Sequence, residues 1–544
     1  MNRRAANPWV ALSALCIGFF MILLDTTIVS VAIPTMITGL HASLNQVVWV
    51  TSGYLLAFAV PMLVSGRLGD RIGRKTMFLG GLAVFTGASL WCALSGNADM
   101  LITARVVQGL GAAALTPQTM AFITNMFPPD KRGAPLGVWG GVAGLATIAG
   151  PLLGGVLVDN FGWQWIFMVN VPIGVVGLLA TIFFVPGDLP KHRQRFDLIG
   201  TILSAAGLFA VVYGVQNGQQ DNWGRAIGPV TIPELIGAGV VILIGFVWWQ
   251  RRGARIGHDP LMPLSLFGHQ NFAAANVANL TIGFATTGMF LPLIIYIQSV
   301  LGFSPLMSGV LTAPMSLLSG IVAPFAGKLS DRMSGKYVSM TGFAATAVGI
   351  AIIAVQAGQH TNPWLLTPGL LVCGFGFGCV FSPLANLATA SVPLPQMGAA
   401  SGLFNTFRQV GGVLGSAAIG VLLQARLTVS MHAAAVSNAA ALPAPYRQQF
   451  IAGVDASAAS ASNGAGSAAG HLTGLPTQLA ATLARLGTAA FHQGFTEAAK
   501  VTLALPAVVL VIGALACLAM TRQRPSGAPE LPVPAPTERV TEPV

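Results

Sequence analysis

Charged residues are scarce in this sequence. Asp, Glu, Lys and Arg make up 8% of its 544 residues, where soluble domains carry roughly 25%. A chain so poor in charge cannot cover a folded surface with solvated groups, which excludes an ordinary water-soluble globular protein. The alternating polar and apolar segments of a transmembrane barrel are missing too. No His/Glu pair stands at zinc spacing, and neither GxSxG nor a GxxxxGK[ST] phosphate loop occurs. Hydrolytic chemistry and direct use of ATP therefore have no visible residues, and an enzyme or receptor reading finds no support. The five cysteines, Cys16, Cys92, Cys373, Cys379 and Cys517, all fall in apolar runs without metal-ligand or disulfide spacing. They read as small packing residues.

What the chain does have is apolar length. Mean hydropathy is +0.73. Runs near 9–34, 47–66, 76–96, 99–123, 134–157, 163–186, 197–216, 231–249, 271–297, 304–327, 337–357, 363–390, 399–424 and 499–520 each suffice to cross ~30 Å of hydrocarbon as a helix. The fold class is thus an all-α integral membrane protein with 14 transmembrane helices. The first run is long and lacks a convincing cleavage site, so it reads as a retained span. Net charge is +11 and the pI about 10.0, which in a soluble chain would suggest nucleic acid. Position decides otherwise. With a cytoplasmic amino terminus, twenty Lys and Arg fall in inside segments and five in outside ones. This asymmetry is a topology signal, placing both termini in the cytoplasm of a cell (inner) membrane and leaving no nucleic-acid partner.

The sequence also repeats itself. GRLGDRIGRK at 66–75 recurs as GKLSDRMSGK at 327–336, each after the second span of a six-span block. Parallel repeats about the membrane normal build two-halved transporters. The expected domains are a six-helix bundle over 1–190, two inserted helices over 191–260, and a second six-helix bundle over 261–520. The last includes an outer loop, 425–498, too polar to span. It is rich in Ala, Ser and Gly, and is expected to be partly disordered with an amphipathic helix near 475–498. A Pro-rich cytoplasmic tail follows at 521–544.

Asp25, in LDTTIVSVAIP, is the one carboxylate expected deep within a span. A charge there costs roughly 2.5–3.5 kcal/mol on insertion scales, which marks it as a candidate proton site; the alternative is an inert, hydrogen-bonded carboxylate near a helix end. Arg105, in LITARVVQGLGAA, is a buried cation at a similar depth, ~9–14 Å below the outer surface. The two are within reach of each other, directly or through water, and Gln108 shares the face of Arg105. A neighbouring Arg favours the charged carboxylate and burial disfavours it. A static ion pair remains the alternative. In the repeated loop Gly66, Gly69 and Gly73 permit a tight turn, and Asp70 can accept charge-assisted hydrogen bonds. In GVAGLATIAGPLLGG, glycines four apart (Gly137/Gly141, Gly150/Gly154) permit close backbone approach, and Gly150-Pro151 adds a bend. Polar and aromatic residues on apolar helices are candidates for a substrate cavity: Trp49, Tyr54, Gln118, Asn276, Asn279, Met289, Phe290, Asn386 and Arg408. Core packing is equally open for each. Arg408 either pairs with a group such as Asn386 or faces a water-filled cavity.

These motifs together resemble the major facilitator superfamily, and within it the fourteen-span drug:proton antiporters of EmrB/QacA type. Further matching stretches are WQWIFMVNVPIG, FDLIG, YIQSVLGFSPLMSG and FNTFRQVGGVLGSA. The resemblance covers Trp9 to about Met520 and is weakest in the outer loop and tail. It implies a major facilitator fold and a secondary transporter driven by the proton gradient without a cofactor or metal. Asp25 and Arg105 would couple protons. Gly66, Asp70, Arg71, Gly73, Arg74, Asp331 and Arg332 would form a conformational latch. Gly141, Gly150, Pro151, Gly154 and Gly155 would form the antiporter motif that separates exporters from symporters. The implied partners are protons, the lipid bilayer and small hydrophobic or cationic substrates, with a periplasmic adaptor and outer-membrane channel as for EmrB-like members. An alternative is a dedicated exporter of one endogenous metabolite, siderophore or lipid. The chain departs from relatives with an additional membrane acid near the thirteenth or fourteenth span.

Overall fold

The computed structural model describes residues 7–127, 133–187, 197–218, 223–256, 260–332, 334–389, 392, 397–460 and 477–521. Apolar runs need their backbone hydrogen bonds satisfied internally, and the chain is accordingly almost all helix. The first block holds α1 (Pro8–Gly39), α2 (Leu44–Ile72), α3 (Arg74–Ala93), α4 (Ala98–Met126), α5 (Gly133–Phe161), the short α6 (Trp165–Met168) and α7 (Asn170–Phe184). Two helices follow, α8 (Leu198–Asn217) and α9 (Ile232–Arg255), joined through a small antiparallel hairpin of β1 (Arg225–Ile227) and β2 (Val230–Thr231). The second block holds α10 (Gln270–Ile295), continued by a π-helical turn Tyr296–Val300, then α11 (Pro305–Arg332), α12 (Gly335–Gln356), α13 (Thr367–Thr389), α14 (Met397–Ala439), α15 (Ala444–Ser460) and α16 (Thr477–Leu518).

Among the described residues, 13 helical stretches are long and apolar enough to cross a membrane. The 29-residue α5, packed between α1 and α11, brings the series to the fourteen read from the sequence.

The packing repeats as the sequence does. In the first block α1 lies against α5 and α7, α4 against α2 and α3, and α3 against α7. In the second block α10 lies against α14 and α16, α13 against α11 and α12, and α12 against α16. The halves meet through α5 with α11 and through α2 with α14, two contacts that the repeat exchanges. The helices α8 and α9 pair with each other, and α8 also touches α2 and α14. Asp197 accepts hydrogen bonds from the backbone N–H of Gly200 (2.8 Å), Trp249 Nε1 (2.9 Å) and Gln250 Nε2 (2.7 Å), which clamps this pair at one end.

The final lysine of each sequence repeat has a structural task. Lys75 Nζ donates to Ile182 O near the end of α7. Lys336 Nζ donates to Leu518 O and Met520 O at the end of α16. Each ammonium sits where the helix dipole presents unpaired carbonyls.

The described residues of 425–460 form helices and a short turn where a polar loop is expected, and α16 supplies the helix expected near 475–498. Helix α14 runs 43 residues and α16 runs 42, each ~64 Å long at 1.5 Å per residue, so both project well past a bilayer core. Alanine supplies helix propensity. Leu427, Met431, Ala434 and Ala435 bury against Phe491, Phe495 and Phe450 in one apolar cluster, and Asn438 Nδ2 donates to Gln493 Oε1 at 3.1 Å. Low average hydropathy hid a packed helical extension. Residues 461–476 lie outside the described residues.

Candidate functional site

Asp25 sits mid-way along α1 and is fully buried. Its Oδ2 lies 2.5 Å from Arg105 NH1, the guanidinium projecting from α4. Its Oδ1 accepts from Gln108 Nε2 (2.9 Å) and from Asn170 Nδ2 (3.1 Å) at the start of α7. Gln108 in turn donates to Ser89 Oγ on α3 (2.8 Å) and accepts from Arg105 NH1 (2.6 Å). Arg105 Nε donates to Val50 O on α2 (3.2 Å), and its guanidinium carbon stands 3.9 Å from the centroid of the Tyr54 ring. Helices α1, α2, α3, α4 and α7 therefore converge on one ion pair. A buried ion pair persists only where hydrogen bonds replace the lost water, and here amides and a carbonyl do so. Such an arrangement seats a buried carboxylate with Arg105 as its counter-ion and two amides as further donors.

The glycines of the fifth span serve approach. A Cβ on Gly150 would stand 2.0 Å from Thr27 Oγ1, and one on Gly154 2.8 Å from Ile28 Cγ1, both on α1. A Cβ on Gly155 would stand 2.4 Å from Leu306 Cα on α11. Helix α5, with Pro151 inside it, thus touches the Asp25 helix and the opposite half at once. At this same end Asp159 Oδ2 accepts from Ser304 Oγ (2.9 Å) and from the N–H of Leu306 (3.0 Å), and Gln298 Nε2 donates to Val31 O (2.9 Å). Nearer the middle Ser52 Oγ bonds Ser416 Oγ at 2.9 Å.

The other expected residues scatter. Gly73 ends α2 with φ +111°, a conformation that favours glycine; Arg71 is exposed and Arg74 half-buried beside it. Gly66, Asp70, Gly141, Asp331 and Arg332 lie outside the residues whose side chains are described. Gln118 is buried between α4 and α2, donating to Ser65 O (2.7 Å) and filling the space over Gly69. Trp49 packs on Tyr213 of α8, ring centroids 5.9 Å apart. Asn276 bonds back to Phe272 O, and Asn279 donates to Phe404 O on α14. Met289 is core and Phe290 packs against it. Asn386 is exposed. Arg408 is half-buried, and its Nε is buried without a hydrogen-bond partner among the described residues; no bond to Asn386 is formed.

Sequence reasoning gave no role to Asn170, Ser89 or Asp159. Asn170 had a readable signal, a lone amide in an apolar run. Ser89 had none, because a serine in a helix ordinarily bonds its own backbone.

Comparison with known proteins places this geometry. The profile of the Major Facilitator Superfamily matches residues 15–416. The chain is 33% identical over 540 residues to the tetracenomycin C resistance and export protein of Streptomyces glaucescens, covering 98% of this chain and 95% of that one. It is 34% identical over 433 residues to the multidrug resistance protein Stp of Mycobacterium tuberculosis, covering 79% and 78%. An uncharacterized MFS-type transporter of Mycobacterium tuberculosis is 47% identical over 435 residues, covering 79% and 74%. A solved bacterial homolog of the human lysosomal transporter Spinster, inward-facing and unoccupied, superposes with a TM-score of 0.61 at 15% identity, covering 96% of this chain and 100% of that one. That likeness bears on the fold.

Proposed function

Since the chain belongs to the Major Facilitator Superfamily, and is a multi-pass membrane transporter rather than an enzyme, we propose that it exports amphiphilic organic compounds in exchange for protons. Relatives named for export and for multidrug resistance support the outward direction. The observation that carries the coupling is the fully buried Asp25, held by Arg105, Gln108 and Asn170. The guanidinium and the two amides all donate to its oxygens. A helix movement that parts these donors from the carboxylate opens it to a proton. A proton arriving from outside neutralises Asp25 and frees Arg105, which keeps its hold on Val50 O and the Tyr54 ring. Both of those lie on α2, the helix that meets α14 across the halves. Loss of the proton to the cytoplasm restores the pair. The halves rock between these states about the substrate, with the termini on the cytoplasmic side and the proton gradient as energy source.

The test is efflux of an amphiphilic dye from energised vesicles by the parent and by Asp25→Asn, with and without a protonophore. The expected result is uphill efflux that the protonophore stops and that Asp25→Asn abolishes while the protein remains inserted. Uphill efflux by Asp25→Asn driven by the proton gradient would place the coupling elsewhere.

A further inference from the structure

The oxygens of Asp25 are taken up by Arg105, Gln108 and Asn170, with no exposed surface. Among the described residues, the charged group within a span that lacks a counter-ion is a cation. Arg408 forms no ion pair among the described residues, and its Nε is buried without an acceptor. Its location can be read from the glycine and serine stripe above it. On α14, Gly420 lies against Val48, Ser416 bonds Ser52, and Gly412 lies against Leu55 and Thr287. These steps of four residues descend one face of α14 along α2. One further step of four reaches Arg408, a turn beyond Gly412 and its contacts with Leu55 and Thr287. It stands 11 residues into α14, ~16 Å from that end of the helix, at the depth of the bilayer interior. Gly283 of α10 meets its backbone, so the helix is fixed there while the side chain stays half-buried.

We propose that Arg408 is the charge-selecting residue of the substrate site, and that the site takes an apolar compound bearing an acidic oxygen, a carboxylate or phenolate, in preference to an organic cation. This rests on the export reading above. A guanidinium meets such a group through paired N–H donors, supplying the acceptor that Nε lacks. The Asp25–Arg105 pair, being neutral overall, does not compete for the ligand.

The experiment is counterflow in proteoliposomes with two xanthene dyes of like shape, anionic fluorescein and cationic rhodamine 123. It compares the parent, Arg408→Gln and Arg408→Lys. The parent is expected to exchange fluorescein faster. Arg408→Gln should slow fluorescein roughly tenfold or more, the worth of one charge-assisted hydrogen bond, and leave rhodamine 123 unchanged or faster; that cationic flux also reports an intact fold. Arg408→Lys, which keeps the charge but not the fork, should retain part of the fluorescein rate. A parent that exchanges rhodamine 123 and not fluorescein, or an Arg408→Gln chain in which both dyes change alike, overturns the proposal. Counterflow needs no proton gradient, so a wrong assignment of Asp25 leaves this result untouched.

Discussion

The two six-helix halves share one packing scheme and differ in how they treat charge. In the first, a carboxylate and a guanidinium are buried together with Gln108 and Asn170 supplying amides. In the second, Asn276 and Asn279 bond only backbone carbonyls, of Phe272 and Phe404, and Arg408 stands without a counter-ion among the described residues. Duplication fixes where helices lie, because backbone approach depends on small residues at repeated positions. It does not fix chemistry, because one substitution changes a charge without moving a helix. Halves that pack alike can therefore differ in the charges they bury.

The largest expected effect breaks that contrast directly. Arg105→Gln strands the Asp25 charge and should cost about 3–5 kcal/mol of stability, read as a lowered melting temperature in detergent. Adding Asp25→Asn to it should recover most of the loss, since both charges are then gone. Arg408→Gln should cost nothing or stabilise. Equal losses at Arg105 and Arg408 would mean that the two halves do not differ in this way.

A second test compares glycines at matched contacts. At Gly150 an added Cβ crowds the Thr27 side chain at Oγ1 and Cβ; at Gly411 it crowds the Leu280 backbone at O, C and Cα. Gly411→Ala should cost about 1–3 kcal/mol and Gly150→Ala less, measured by the same melts. The reverse order would show α1 to be the more rigid neighbour.

The inserted pair α8–α9 offers a reference outside both halves. Burial alone would raise the Asp197 carboxyl, but hydrogen bonds from Gly200, Trp249 and Gln250 outweigh it and hold the group below its usual value. A depressed carboxylate stabilises the fold above its unfolded range, and that contribution is lost as pH falls through the folded value. Asp197→Ala should cost about 1 kcal/mol at neutral pH and remove this part of the acid dependence, with melts from pH 7 down to 3 as the readout. The smallest effect belongs to the repeated lysines. Lys336→Met should cost about 0.3–1 kcal/mol, because Lys336 holds two carbonyls at the end of α16.

Much of this architecture was legible without coordinates. Apolar run length set the number of spans, and the copied loop at 66–75 and 327–336 exposed the duplication. Asp25 and Arg105 stood out because a charge in hydrocarbon demands a reason. The helix near 475–498 was readable, but the helices over 425–460 were missed because hydropathy averages over both faces of a helix, and Phe450 packs where the average reads as polar. The proposed cavity residues were the least readable. Gln118 and Asn279 turned out to bridge neighbouring helices, and nothing in their spacing says so.

The sequence by itself determined that this chain lives in the bilayer, that it is built twice, and which few side chains carry charge into the interior. Only the tertiary structure decided what those side chains meet. Asp25 finds Arg105, Gln108 and Asn170 across 80, 83 and 145 residues of chain, and Arg408 finds no such partner among the described residues. The reason is physical. In water the polar face of a helix reveals which way it turns, but a helix in lipid is apolar on every side. Its rotation is set by close packing at residues such as Gly150 and Gly411, and at 100° per residue that rotation decides whether a charge is paired.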